Sequence, residues 1–365
     1  MSNAQTFTVT RQPLGAHQLQ TQALPSTLRD GQVLLHIEHF ALTANNITYA
    51  ALGDALGYWQ FFPASDSQGV IPVWGFAQVL QSSVAGISNG ERFYGYYPMA
   101  THLLVNAQHI TAHGFTDGSV HRQDLPAIYN QYLRTSTDPL YQADSEALQM
   151  LLRPLFTTSF LLDDFFASQA CFGATQLCVT SASSKTAIGT AYLLRNNREH
   201  RGQNYEVVGL TSARNRAFVE GLGCYDRVLC YDDLSALSAQ IPSAIIDLAG
   251  NAALLQRLHQ QLGDGLRYSC RVGAAHWTQA SLSAAPLHGP KPVMFFAPNE
   301  ALRMAKQHGA AAFQQQLAAQ WQTFSGFAQT WLRLEYGHGE AAIASVYHDL
   351  LKGQTRPEVG HLLAL

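Results

Sequence analysis

The run Ser181-Ala182-Ser183-Ser184-Lys185-Thr186-Ala187-Ile188-Gly189 follows a short apolar stretch and leads into residues with helical spacing. A strand, a tight turn of small residues and a helix form the setting in which a pyrophosphate is held. The helix N-terminus offers unpaired N–H groups and a positive dipole, and small side chains let the phosphate approach the backbone. Ser181 opens the turn, Ser183, Ser184 and Thr186 bring hydroxyl donors, and Lys185 brings a cation for a charge-assisted contact. Within this run glycine stands only at Gly189, where it would allow close packing of helix on strand. The same residues also read as a plain N-capped helix start, since Ser and Thr are favoured there. Both glycines of the triphosphate pattern G-x-x-x-x-G-K-[ST] are missing, which argues against a nucleoside triphosphate.

The next apolar run ends Gly209-Leu210-Thr211-Ser212-Ala213-Arg214-Asn215-Arg216. A site for NAD places Asp or Glu about 20 residues beyond the phosphate turn, to bind the ribose hydroxyls. Here no acid stands. Thr211 and Ser212 offer hydroxyls, and Arg214 and Arg216 offer guanidinium groups, a set that suits a 2′-phosphate. The expected cofactor is therefore NADP. The competing reading is a solvated first helical turn with ordinary surface arginines.

These residues need a scaffold, and the apolar pattern supplies one. Leu177 to Thr180, Glu206 to Leu210, Arg227 to Cys230, Ala244 to Leu248, Tyr268 to Val272 and Val293 to Phe296 read as buried strands. Between them, Thr186 to Arg195, Ala213 to Leu222 and Ala252 to Leu262 read as amphipathic helices. This alternation predicts a doubly wound parallel sheet. Residues before about 110 read differently. Val33 to Phe40 alternates, Phe76 to Leu80 is a short apolar run, and Gly86, Asn89-Gly90 and Gly95 mark turns, so a compact barrel is expected. A connecting region of about 111 to 165 holds two stretches read as helical, Leu125 to Tyr132 and Ala147 to Phe156. The tail is helical from Glu300, and its last residues are expected to return to the first domain.

The chain has 365 residues, 47% of them hydrophobic, enough for a substantial core and about two domains. Its net charge is −3 with 13% charged residues and no basic block, which argues against a nucleic-acid partner. The low charge is compatible with a homodimer interface. No apolar run reaches membrane-spanning length, and Met1 to Thr10 are polar, so neither a membrane span nor a secretory signal is expected. The five cysteines, Cys171, Cys178, Cys224, Cys230 and Cys270, lack C-x-x-C spacing. A reducing cytoplasm fits them better than a disulfide scaffold. Trp59, Phe61, Phe62, Tyr94, Tyr96 and Tyr97 form an unusually aromatic set, read equally as the wall of a flat apolar pocket or as core and dimer interface.

Taken in order, several segments resemble the medium-chain dehydrogenase/reductase superfamily over nearly the whole chain. Val33 to Tyr49 resembles the opening strand and turn of its GroES-like barrel. Trp74-Gly75-Phe76-Ala77-Gln78-Val79 stands where that family has G-H-E-F-A-G-x-V. Gly86 to Phe93 resembles its G-x-x-x-G-D-R-V turn, and Leu155 to Phe160 its domain-entry helix. Gly221 to Asp226 is similar to L-G-A-D, Asp247 to Asn251 to D-x-x-G-G, and Val272-Gly273 to the closing I-G. The phosphate turn departs from the family by being longer and poorer in glycine.

The resemblance is closest to the zinc-free, quinone-oxidoreductase-like side and a little-characterised branch of it. It implies a GroES-like substrate domain over 1–164 and 299–365 and a Rossmann-like dinucleotide domain over 165–298. It adds Gly250, Val272 and Gly273 to the cofactor residues. The places of the catalytic zinc ligands hold Phe40-Ala41 and Trp74, and the structural-zinc cysteines are missing, so no metal is expected. Zinc-free relatives line the cleft where Leu42 to Tyr49 lie. Tyr49 would then protonate or polarise a substrate oxygen, with Asn46 and Thr43 orienting it, unless Asn45-Asn46 is a mere turn and Tyr49 packs. The implied activity is NADPH-dependent reduction of a small apolar carbonyl, enone or quinone-like substrate. The alternative is a catalytically silent nucleotide-binding or scaffolding protein on the same fold.

Overall fold

The computed structural model describes residues 3–272 and 287–365. In chain order it runs β1 (Asn3–Thr10), β2 (His17–Ala23), β3 (Gln32–Leu42), α1 (Ala44–Ala51), β4 (Gln68–Gly69), β5 (Pro72–Ser82), β6 (Arg92–Pro98), β7 (His102–Thr111), β8 (Gly114–Asp117), β9 (Gln131–Arg134) and α2 (Glu146–Ser168). There follow β10 (Gln176–Val179), α3 (Lys185–Asn197), β11 (Glu206–Thr211), α4 (Arg216–Gly221), β12 (Arg227–Cys230), β13 (Ser243–Asp247), α5 (Ala252–Leu262), β14 (Leu266–Val272) and β15 (Val293–Phe295). Helices α6 (Ala297–His308) and α7 (Ala310–Gln329), strand β16 (Arg333–His338), helix α8 (Glu340–Leu351) and strand β17 (Val359–Ala364) complete it. The chain divides into two units, Met1–Leu151 with Leu332–Leu365, and Leu152–Trp331.

In the first unit, β3, β5, β6, β9, β8 and β7 pair in that order, and β7 pairs back onto β3, closing an antiparallel barrel. Val33, Leu35 and Ile37 of β3 and Val73, Ala77 and Val79 of β5 alternate inward, as a sheet with one buried face requires, and fill the core with Phe93, Val105 and Phe115. The expected return of the C-terminus is seen: β17 pairs antiparallel with β3 at Leu362↔Ala41. The Leu125 to Tyr132 stretch is not an α-helix. It is a short 3-10 turn, Ala127–Asn130, running into β9. Pro126 disfavours a helical residue before it, and pairing of β9 with β6 and β8 outweighs local propensity.

In the second unit all six strands are parallel, in the order β12-β11-β10-β13-β14-β15. Counted from β10, this is the 3-2-1-4-5-6 order of a dinucleotide-binding sheet. Strands β10 and β13 are buried throughout, as the continuous apolar runs predicted. The Ala213 to Leu222 stretch splits into a 3-10 turn, Ala213–Asn215, and the short α4. Compared with the expected 165–298, this unit is wider, because α6, α7 and most of α2 belong to it.

Gly189 shows why α2 belongs there. A Cβ on Gly189 would meet Ser159 Oγ at 2.8 Å and Ser159 Cβ at 3.2 Å. Its close approach is thus to helix α2, not to a strand. Ser159 donates to the Thr186 carbonyl at 2.8 Å, fixing the contact. Gly189→Ala is expected to cost about 1–3 kcal/mol through overpacking, read as a lower urea midpoint. An unchanged midpoint would mean that the two helices can part freely.

Candidate functional site

Strand β10 ends at Val179, and Thr180 follows, fully buried. Its hydroxyl donates to Asp247 Oδ1 at 2.7 Å and accepts the N–H groups of Leu248 and Ala249 at 2.9 and 3.0 Å. This ties together the carboxyl ends of β10 and β13, where the strand order reverses, the place at which such sheets bind ligands. Burial holds the Asp247 carboxyl above its ordinary range, and the Thr180 hydroxyl pulls it partly back.

The phosphate turn comes next. Ser181 takes a left-handed φ of 53°, a conformation glycine adopts most easily, so the serine-rich turn follows a path that glycine normally permits. Its N–H donates to the Tyr231 hydroxyl at 3.1 Å. Ser183 Oγ accepts from Asn215 Nδ2 at 2.8 Å, which links this turn to the end of β11. Ser184 is the N-cap of α3 and accepts from the Ala187 N–H at 3.3 Å, while Lys185 is the first helical residue. Thr186 gives its carbonyl to Ser159 and Thr190. Thr211 is buried at the end of β11 and Ser212 begins the turn after it. The two arginines differ. Arg216 pairs with Glu220 at 2.8 Å and Asp233 at 3.8 Å. Arg214 is exposed and has no hydrogen bond or ion pair among the described residues. Gly250, with φ 62°, follows β13, and Val272 is the last residue of β14. Gly273 lies outside the described residues. Every other expected cofactor residue except Gly189, one turn into α3, thus falls at or just beyond a strand's carboxyl end or at the start of α3.

In the first unit, Thr43 is the N-cap of α1. Its N–H and hydroxyl donate to Asn46 Oδ1 at 2.7 and 2.9 Å, and Asn46 Nδ2 donates to the Pro72 carbonyl at 2.8 Å. Both ends of the buried Asn46 amide are therefore engaged in holding α1 against β5. Thr43 and Asn46 position the helix, and Tyr49 is what the helix presents. Tyr49 is buried, and its oxygen accepts from Asn45 Nδ2 at 2.7 Å.

Around Tyr49 stands a shell of rings. Tyr58 lies at 4.5 Å and Tyr96 at 5.9 Å between centroids, and Phe61, Phe62, Trp74 and Tyr129 complete it. Desolvation drives the Tyr49 phenol well above its ordinary pKa, the neighbouring Tyr58 adds to this, and the Asn45 amide bonded to its oxygen opposes it. Of the expected aromatic set, Phe61, Phe62 and Tyr96 join this shell. Tyr94 stacks on Trp74 at 5.4 Å. Trp59 and Tyr97 are core. Trp59 is wedged so tightly that a Cβ on Gly53 or Gly69 would sit 2.2 or 2.5 Å from its ring.

The family model described as "Protein of unknown function (DUF2855)" matches residues 40–356. The chain belongs to this family. No curated protein matches it in sequence. Solved structures do match the DUF2855 chain in fold. A mutant enoyl thioester reductase from Candida tropicalis shares 10% identity at TM-score 0.58, with all of both chains covered. CurA from Vibrio vulnificus in complex with NADPH shares 12% at TM-score 0.59, over 99% of this chain and 98% of that one. A putative NADPH:quinone reductase from Bacillus thuringiensis shares 11% at TM-score 0.54 over the whole of both. The barrel and parallel sheet are therefore the fold that the medium-chain dehydrogenase/reductase resemblance implied.

Among the described residues of this DUF2855 member, no three His, Cys, Asp or Glu side chains cluster to hold a metal ion, and no helix is long and apolar enough to cross a membrane. Three neighbours of Tyr49 are not among the candidates singled out from the sequence: Asn45, which was read only as part of a turn or cleft-lining segment, Tyr58 and Tyr129. Asn45 and Tyr49 are four apart on a helix, which brings their side chains together, so that spacing was a usable signal. Tyr129 carries no such signal, since it reaches the shell from a distant turn.

Proposed function

We propose that the protein is an NADPH-dependent, zinc-free reductase of an activated C=C or C=O bond, of the quinone or enone type. The observation that carries this reading is the gathering of the turn 181–186, Thr211, Ser212, Arg214, Gly250 and Val272 around the carboxyl ends of the parallel strands. These donors fit a dinucleotide: helix α3 and its serines toward the pyrophosphate, the exposed Arg214 toward a 2′-phosphate. When bound, the nicotinamide supplies a hydride. The ring shell of the first unit suits a flat conjugated substrate, and Tyr49 supplies the proton. The enoyl thioester reductase, CurA and quinone reductase likenesses agree with this chemistry.

Titration with NADPH and NADH, followed by nicotinamide fluorescence, tests the reading. A guanidinium–phosphate contact at an exposed side chain is worth about 1.5 kcal/mol, or roughly tenfold in affinity. Arg214→Ala is expected to weaken NADPH by that factor and leave NADH unchanged, while Arg216→Ala, already paired to acids, changes neither. Equal affinity of the parent protein for both cofactors would sink the NADP assignment.

One observation favours the second reading, a catalytically silent nucleotide binder. The turn already uses the N–H of Ser181 and of Ala182 within the protein. Tight NADPH binding without turnover of any quinone or enone would select it.

A further inference from the structure

Strands β5 and β6 place Trp74 directly opposite Tyr96, and Val73 opposite Tyr97. Val73 and Tyr97 belong to the barrel core, so Trp74 and Tyr96 share the other face of the sheet, with ring centroids 5.0 Å apart. Tyr49, Phe61 and Phe62 cover that face, and Tyr49 meets Tyr96 edge-on at 5.9 Å. Tyr96 is fully buried, and its hydroxyl has no hydrogen-bond partner among the described residues. The Trp74 indole N–H has none either, and it is buried although the ring around it is half-buried. Buried donors are ordinarily satisfied, so two unpartnered ones on one cross-strand pair beside Tyr49 call for an acceptor. The acceptor's charge is constrained as well. The shell is built of rings and aliphatic side chains, and Arg122, which packs over Phe61 and Phe62, is already paired to Asp117. A carboxylate buried there would lack a counter-charge, whereas a neutral carbonyl needs only the two donors.

We propose that the Trp74 N–H and the Tyr96 O–H hold the carbonyl oxygen of a neutral, flat conjugated ligand in the ring shell, an assignment that rests on the shell being the substrate site. A carbonyl oxygen has two lone pairs and accepts both donors at once. The surrounding rings pack on its conjugated frame. Tyr49 keeps its own proton for the substrate, because Asn45 Nδ2 occupies only an acceptor position on the Tyr49 oxygen. Trp74 and Tyr96 thereby select a ketone or quinone over the corresponding acid.

The enone 4-phenylbut-3-en-2-one, labelled with 13C at its carbonyl, tests the pair in the full chain without cofactor. Binding is expected to move its C=O stretch to lower wavenumber, and Trp74→Phe and Tyr96→Phe each to move it partway back. Each substitution removes one neutral hydrogen bond and should weaken the enone by roughly three- to tenfold. Cinnamate has the same frame with a carboxylate, and should bind the parent roughly tenfold or more weakly than the enone. Tyr96→Phe has a second signature that a merely structural hydroxyl would not give. It removes a buried O–H that has no partner in the free protein, so the urea midpoint should stay or rise while enone affinity falls. An unchanged stretch and affinity in either variant overturns the pair, as does a lowered midpoint in Tyr96→Phe, tight cinnamate binding or a parent that does not bind the enone. The reductase reading fails separately. A protein that holds the enone through these donors and binds no NADPH keeps the site without the reductase. One that reduces the enone with NADPH at the parent rate and KM in both variants keeps the reductase without the donors.

Discussion

Asp117→Ala is expected to destabilise the first unit by about 3–5 kcal/mol, because it leaves the Arg122 guanidinium buried without its counter-charge. Asp117 and Arg122 have side-chain exposures of 2% and 1%, too little for water to replace the lost partner. The cost reaches further than the ion pair. Asp117 Oδ1 also accepts the Ser119 N–H at 3.0 Å, the Ser119 hydroxyl at 2.6 Å and the Asn106 N–H at 3.3 Å, and all three lose their acceptor. Arg122 keeps the faces of Phe62 and Phe61, at 4.6 and 5.6 Å, and the Phe61 carbonyl, which soften the loss without neutralising the charge. Removing both charges differs from removing one, since an apolar pair of similar volume is often tolerated. Asp117→Ala combined with Arg122→Met should therefore recover more than half of the lost stability. Urea unfolding followed by a probe in the first unit measures both variants. A single-variant loss below about 1 kcal/mol would show that water or a shifted backbone satisfies Arg122.

That ion pair also marks where sequence reasoning stopped. The second unit was legible because strands buried on both faces read as unbroken apolar runs, and Leu177 to Thr180 and Ala244 to Leu248 have no other use. The barrel was legible only in part. In β9, Gln131–Arg134, just Tyr132 is fully buried, so the strand that completes the ring has no apolar signature and is specified by its partners β6 and β8. The site divides in the same way. Tyr49 was readable from its segment, and the contrast between Arg214 and Arg216 became visible only once Glu220 and Asp233 were placed beside the latter. Asn46 was read as orienting a substrate oxygen; in the structure its amide bonds Thr43 and the Pro72 carbonyl, and nothing in the local sequence reveals that this carbonyl lies opposite it. Tyr129 and its support by Arg122 come from tertiary packing alone.

Tyr49→Phe is expected to lower the maximal rate of NADPH oxidation with a quinone or enone by roughly a hundredfold or more, the usual contribution of a positioned proton donor. The substitution keeps the ring that packs on Tyr58 and Tyr96 and removes one oxygen. Asn45 Nδ2 then loses its acceptor, a change worth about 1 kcal/mol of stability, because the amide is only part-buried and water can reach it. Affinity for NADPH should stay within error of the parent, since the donors proposed for it lie in the second unit, and a fall in rate without a change in cofactor binding is the sign of a group acting in the transition state. The pH profile adds a second check. Burial raises the Tyr49 pKa above its ordinary value near 10, so the protonated donor persists through neutral and mildly alkaline pH. The parent rate should accordingly show no loss assignable to a tyrosine up to about pH 10. A Tyr49→Phe protein that loses rate, NADPH binding and stability in equal measure would instead establish Tyr49 as packing for the ring shell, and the proton would have to come from another hydroxyl in it.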